Sequence, residues 1–275
     1  MDQKMEKHFV LVHGACHGAW CWYKVAMLLR SAGHKVTVLD LAASGLNAKK
    51  VQEVKSFSVY LEPLMEFMAS LLAEEKVVLV GHSLGGVALS VAMERFPEKV
   101  SVAVFATAYM LNPDLDVLTV SEKVEKNIGS FMDSQVMFDE ELDKRPTTFL
   151  FGGLDKRPIA FFFGPKMLES KFYQLSPPED LTLASMLVRP HPLKINYDTI
   201  SLEETKVTKE RFGSVRRVYV IADQDIIHPE EFQRWMIELN PPDEVRVITG
   251  SDHMIMICKP QELCICLEEV SLQYN

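Results

Sequence analysis

The chain has 275 residues, 48% of them hydrophobic, and 38 acidic against 29 basic side chains give it a net charge of −9. That length accommodates one large domain, or one domain with a sizeable insertion, around a substantial core. No dense Lys/Arg stripe marks a nucleic-acid partner, and no run approaches the ~20 apolar residues of a membrane helix.

The N-terminus, Met1–Lys7, is polar and lacks the apolar stretch of a signal peptide. Five cysteines, none in metal-ligand pairs, argue against a disulfide framework, so a reducing, cytoplasmic setting is expected. Neither a metal nor a cofactor is expected.

Short apolar runs then alternate with helical stretches. His8–Val12 reads as a buried strand, Trp22–Ala32 as a helix ending before Gly33, and Lys35–Asp40 as the next strand. Val59–Leu72 is amphipathic with helical spacing, Lys76–Val80 is a strand, Ala88–Arg95 a helix and Val100–Ala106 a strand. The rhythm returns with strand Arg217–Ile221, a helix near Pro229–Leu239, strand Glu244–Thr249 and a final helix Pro260–Leu272. Strands apolar on both faces and separated by helices predict a mostly parallel sheet covered on each side, an α/β class. The core is assigned to 1–111 and 212–275. Residues 112–211 break the pattern and read as an inserted cap, with helical patches at Val117–Ile128 and Pro178–Val188.

A short tandem repeat lies in that cap. Leu142–Gly152 reads LDKRPTTFLFG and Leu154–Gly164 reads LDKRPIAFFFG. It is too short for a solenoid. Either it forms a neutral surface hairpin or loop, or Phe149, Phe151, Phe161, Phe162 and Phe163 line or lid a pocket.

Gly81-His82-Ser83-Leu84-Gly85 matches G-x-S-x-G directly after a strand and directly before a helix. That context is the one a strained nucleophile turn needs, and it makes Ser83 the candidate nucleophile. The N–H of Leu84, at the helix start, would face a developing oxyanion. The loop His13-Gly14-Ala15-Cys16-His17-Gly18 after the first strand offers the N–H of Ala15 as a second donor. Cys16 has no evident base and reads as a small packed thiol. A serine hydroxyl needs a base. His253, in the loop after the last strand, is best placed, with His228 and His191 as rivals. An orienting carboxylate should follow strand Arg217–Ile221, where Asp223 and Asp225 fit equally by spacing. Asp252 reads as a solvated loop residue.

Together, HFVLVHGACHGAW, LVGHSLGG, FFFGPK, LASMLVRP, RFGSVRRVYV, PEEFQRW and SDHM resemble the plant methylesterase and hydroxynitrile lyase family, over nearly the whole chain apart from parts of the cap. The resemblance implies the α/β-hydrolase fold, a triad of Ser83, Asp225 and His253, and oxyanion donors at Ala15 and Leu84. It thereby selects Asp225 over Asp223. Esterases of this family act on methyl salicylate, methyl jasmonate, methyl indoleacetate and polyneuridine aldehyde. Its lyases typically carry threonine, glutamate and lysine where this chain has Gly14, His82 and Met254, all three on the esterase side. A lysine ammonium would stabilise departing cyanide, which Met254 does not. Gly14, His17, His82, Phe131 and Met254 are assigned to the substrate pocket, Phe131 standing where relatives often place tryptophan. The implied activity is serine carboxylesterase action on small methyl esters, with a lyase or a non-turnover receptor as the alternatives. The expected partner is the small-molecule ester, and the assignment leaves room for a homodimer.

Overall fold

In this computed structural model, residues 6–138, 147–148, 159–193, 195 and 199–274 are described. The strands in chain order are β1 (His8–Val12), β2 (Lys35–Leu39), β3 (Val77–His82), β4 (Val100–Ala106), β5 (Gln135–Met137), β6 (Thr147–Thr148), β7 (Ala160–Phe162), β8 (His191–Pro192), β9 (Arg217–Ala222) and β10 (Glu244–Ile248). The principal helices are α1 (Tyr23–Ser31), α2 (Phe57–Ser70), α3 (Gly85–Arg95), α4 (Val117–Ile128), α5 (Pro165–Met167), α6 (Pro178–Leu187), α7 (Thr199–Glu204), α8 (Glu230–Leu239), α9 (Ile255–Cys258) and α10 (Pro260–Gln273).

Six strands form one wholly parallel sheet in the order β10-β9-β4-β3-β1-β2. This is the expected α/β-hydrolase arrangement. The apolar runs explain it. Every residue of β1 and β3 is buried, as a strand covered by helices on both faces requires. Each fully buried Val, Leu or Phe in such a layer contributes roughly 1.5–3 kcal/mol. After β2 the chain crosses over β1 to place β3 on its other side. The crevice at such a switch point, outside the carboxyl ends of the strands, is where ligands bind in open parallel sheets.

Local chemistry fixes the element ends. The helix expected from Val59 starts at Phe57, because the Ser56 hydroxyl caps it by accepting the Val59 N–H at 3.3 Å. Strand β3 runs two residues past the expected Val80, carrying its pairing with β4 up to His82. At the other extreme of the sheet, β10 is an edge strand with Val245 and Val247 exposed.

Between β4 and β9 the described residues add no strand to this sheet. They form a separate antiparallel sheet, β6-β5-β7-β8. Polar clamps hold this segment to the parallel sheet's surroundings. Asp180, at the start of α6, takes the Lys24 ammonium at 2.6 Å and the Tyr23 hydroxyl at 2.7 Å from α1. Arg189 donates to the carbonyls of Gly45 and Asn47, each at 2.8 Å. No helix among the described residues is long and apolar enough to cross a membrane, and all five cysteines are free.

Candidate active site

Because every strand of the sheet points the same way, the segments that leave its carboxyl ends share one rim. Five of them build the site. After β1, His13 shapes the first loop: its Nδ1–H donates to the Gly14 carbonyl at 2.7 Å and its Nε2 accepts the Leu41 N–H at 3.1 Å. After β3, Ser83 is forced to φ +52°. A non-glycine residue rarely adopts this left-handed conformation, and such strain is typical of functional sites. The turn is enforced by close packing: a Cβ on Gly85 would lie 2.7 Å from the His13 carbonyl oxygen, and one on Gly86 only 1.9 Å from that of Tyr109. Gly14 faces Ser83, since a Cβ there would come within 2.8 Å of Ser83 Cβ.

After β9, Asp225 and Asp223 part company. Asp225 is buried, and its Oδ2 accepts His253 Nδ1–H at 2.7 Å and the Thr107 hydroxyl at 2.5 Å. Its Oδ1 takes the N–H groups of Ile227 and His228, both at 2.8 Å. Asp223 instead holds the N–H groups of Gly250 and Ser251 and so shapes the histidine loop. Geometry thus favours Asp225 independently of any resemblance.

His253 is fully buried, and its Nε2 makes no hydrogen bond to the described residues. Phe172 packs edge-on against its ring at 5.0 Å, and His228 does the same at 4.8 Å. Burial holds the imidazole well below the ordinary histidine value, with His17 adding to the effect. It is therefore neutral, with the Nε2 lone pair available. Burial raises the Asp225 carboxyl to about 6, opposed by His228 and by the donors from Thr107, His228 and Ile227. The pair is a carboxylate and a neutral imidazole at neutral pH.

Ser83 and His253 line one cavity of about 800 Å³, its open mouth included, together with Ala15 and Leu84. Gly14, His17, His82 and Phe131 also line it. Met254 does not, contrary to expectation. Its N–H is tied to Asp252 Oδ1 at 3.0 Å as the chain turns into α9, and its side chain is wholly buried in the core. Asp252 is no solvated loop residue either. It is completely buried, and its Oδ2 accepts the Leu175 N–H and the Ser176 hydroxyl, both at 2.9 Å.

The sequence of this chain from 9 to 264 matches the Alpha/beta hydrolase family. The chain belongs to that family. Methyl jasmonate esterase 1 of Vitis vinifera is 55% identical, covering 99% of this chain and 100% of its own length. Salicylic acid-binding protein 2 of Nicotiana tabacum is 48% identical, with coverage of 99% and 100%. Among solved structures, a mutant of tomato Methylketone Synthase I superimposes with a TM-score of 0.90 at 47% identity, covering 98% of this chain and 100% of that one.

In this alpha/beta hydrolase the rival histidines find other places. His191 lies in β8 against Tyr60 and Phe161 and does not line the cavity. His228 does line it, but its Nδ1 is engaged by the Thr107 carbonyl at 2.8 Å. His17 is a neutral buttress: its Nδ1–H donates to the Ala15 carbonyl and its Nε2 accepts the Tyr173 hydroxyl, both at 2.9 Å, and burial lowers its pKa to about 4. His82 donates from Nε2 to the His253 carbonyl at 2.7 Å. Cys16 is buried with Sγ 3.7 Å from the Phe161 carbonyl, and burial pushes its thiol up, as suits a packed rather than a reactive group. From the repeat, Phe161 and Phe163 line the cavity and Phe162 does not. Phe149 and Phe151 lie outside the described residues. Thr107, Tyr109 and Phe172 escaped the sequence reading, since no local motif marks them.

Proposed function

We propose that this hydrolase is a serine carboxylesterase cleaving methyl esters of small plant metabolites, hormone or alkaloid esters among them. The observation that carries the reading is the convergence in one cavity of a strained serine and a neutral imidazole whose far nitrogen is anchored on a buried carboxylate. The similarity to an esterase named for methyl jasmonate supports the ester class.

In this reading Ser83 attacks the ester carbonyl while His253 Nε2 takes its proton, and Asp225 stabilises the imidazolium that forms. The N–H groups of Ala15 and Leu84 hold the oxyanion. Methanol leaves with the proton from His253, and water, deprotonated by the same nitrogen, releases the acid. Gly14, His17, His82 and Phe131 shape the substrate pocket. Division into a core of 1–111 and 212–275 with a cap of 112–211 belongs to the same reading, supported by the separate antiparallel sheet. Five free cysteines support a cytoplasmic setting.

The test is a methyl-ester panel, hormone and alkaloid esters side by side, with the wild type and Ser83→Ala. Wild-type turnover should fall by at least ~10³-fold in the variant, on the scale of losing a triad member. Undiminished turnover would remove Ser83 from the mechanism.

A further inference from the structure

His228 is a buried titratable group that the mechanism does not use. Its orientation is fixed from three sides. The Nδ1 lies 2.8 Å from the Thr107 carbonyl oxygen, which can only accept, so Nδ1 carries the proton. Tyr109 and Phe232 pack against the ring at centroid distances of 5.4 and 5.3 Å. Thr107 itself is held at φ +41°, a costly conformation for a β-branched residue. That strained turn lets one residue serve Asp225 with its hydroxyl and His228 with its carbonyl.

The consequence is a fixed tautomer. With Nδ1 committed as donor, Nε2 is a lone-pair acceptor, and it makes no hydrogen bond to the described residues. Since His228 lines the cavity that holds Ser83, this acceptor serves the cavity. The His228 ring lies close to the reaction: it packs edge-on against the His253 ring with centroids 4.8 Å apart. Burial lowers the His228 pKa to about 4, so the acceptor persists throughout the neutral range.

Resting on the esterase reading, we infer that His228 is a specificity-determining residue whose Nε2 accepts a hydrogen bond from a substrate hydroxyl two or three bonds from the scissile carbonyl. The favoured substrates are then 2- or 3-hydroxy esters. Sites built to hydrogen-bond a substrate hydroxyl reject analogues that lack it, because a buried polar group is left unpaired.

The experiment compares kcat/KM for two matched pairs: methyl mandelate with methyl phenylacetate, and methyl 3-hydroxy-3-phenylpropanoate with methyl 3-phenylpropanoate. The wild type should prefer the hydroxylated member of at least one pair by about tenfold, the scale of one net hydrogen bond. His228→Phe should bring that ratio close to one. His228→Gln, which offers both an N–H for Thr107 and an oxygen acceptor, should restore part of it. Labelling of Ser83 by a fluorophosphonate shows that each variant is folded and its nucleophile intact. A wild-type ratio at or below one for both pairs overturns the inference, as does a preference that survives His228→Phe. If the wild type turns over none of these esters, the esterase reading loses its support. The inference is then judged by calorimetric binding of the same pairs to Ser83→Ala, where equal affinities would overturn it and tighter hydroxy-ester binding would sustain it.

Discussion

Thr107 does two jobs that nothing beside it in the sequence announces. Its hydroxyl donates to the Asp225 carboxylate and its carbonyl holds His228. A hydrogen bond to a charged group is worth about 1.5–3 kcal/mol, so Thr107→Val should lower kcat about tenfold while preserving shape. It should also move the pH profile. The acid limb of kcat/KM reports the Asp225–His253 pair, which titrates as a unit, and the base stays neutral below the ordinary histidine range. Losing a donor raises the carboxyl pKa, so the variant's limb should shift to higher pH. An unshifted limb would detach Thr107 from the acid. Ser83 and His253 were legible because strand, turn and loop context single them out. Asp225 and Asp223 were not separable by spacing, because one loop holds both and only its fold decides which faces the histidine. Met254 was misplaced for a related reason: adjacency to His253 along the chain says nothing about direction once the backbone turns into α9.

Elements meet at this site with little slack. The N-terminal end of α3 approaches the backbone after β4 so closely that Gly86→Ala would press its Cβ to within 1.9 Å of the Tyr109 carbonyl oxygen. The helix must shift, and we expect a loss of about 3 kcal/mol or more, read as a lower urea midpoint. On the other flank, Asp252 joins the histidine loop to residues 175 and 176 of the segment between β4 and β9, whose Phe172 touches the His253 ring. Asp252→Asn replaces one acceptor oxygen with an amide N–H₂ facing a backbone donor. Thermal denaturation should show ~1–3 kcal/mol lost, and KM should rise because the segment's packing on the base loosens. A KM equal to wild type would confine Asp252 to folding. The strands and helices of the parallel sheet could be read from pattern because burial on both faces forces apolar runs. Between β4 and β9 the helices α4 and α6 were legible in the same way, close to their expected bounds, whereas the short strands and three-residue α5 were not, since they carry too few residues for a period to show.

At the scale of the molecule, neutral buried histidines set the acid limit of stability. Burial lowers His17 and His228 to about 4 and holds His82 and His253 well below the usual value. An unfolded chain protonates all four near the ordinary value of about 6.5. Between that pH and about 4 the unfolded state therefore binds more protons, and stability falls as pH falls. Asp225, raised to about 6, works in the opposite direction, since the folded chain then binds its proton first. Four imidazoles outweigh one carboxyl, so the melting temperature should be at least ~5 °C lower at pH 5 than at pH 7, the size expected from a few kcal/mol in a chain this long. An equal or higher melting temperature at pH 5 would contradict the neutral assignment. The edge strand β10 has a different consequence. Its outward Val245 and Val247 flank Arg246, which is paired with Glu244 and Glu269. A charged side chain in an edge strand, here on the face opposite the two exposed valines, is a gatekeeper against strand-to-strand stacking of whole molecules. Replacing Arg246 with leucine would leave a continuous greasy ribbon on an unpaired backbone, and concentrated solutions of that variant should grow turbid and bind thioflavin while the parent stays clear.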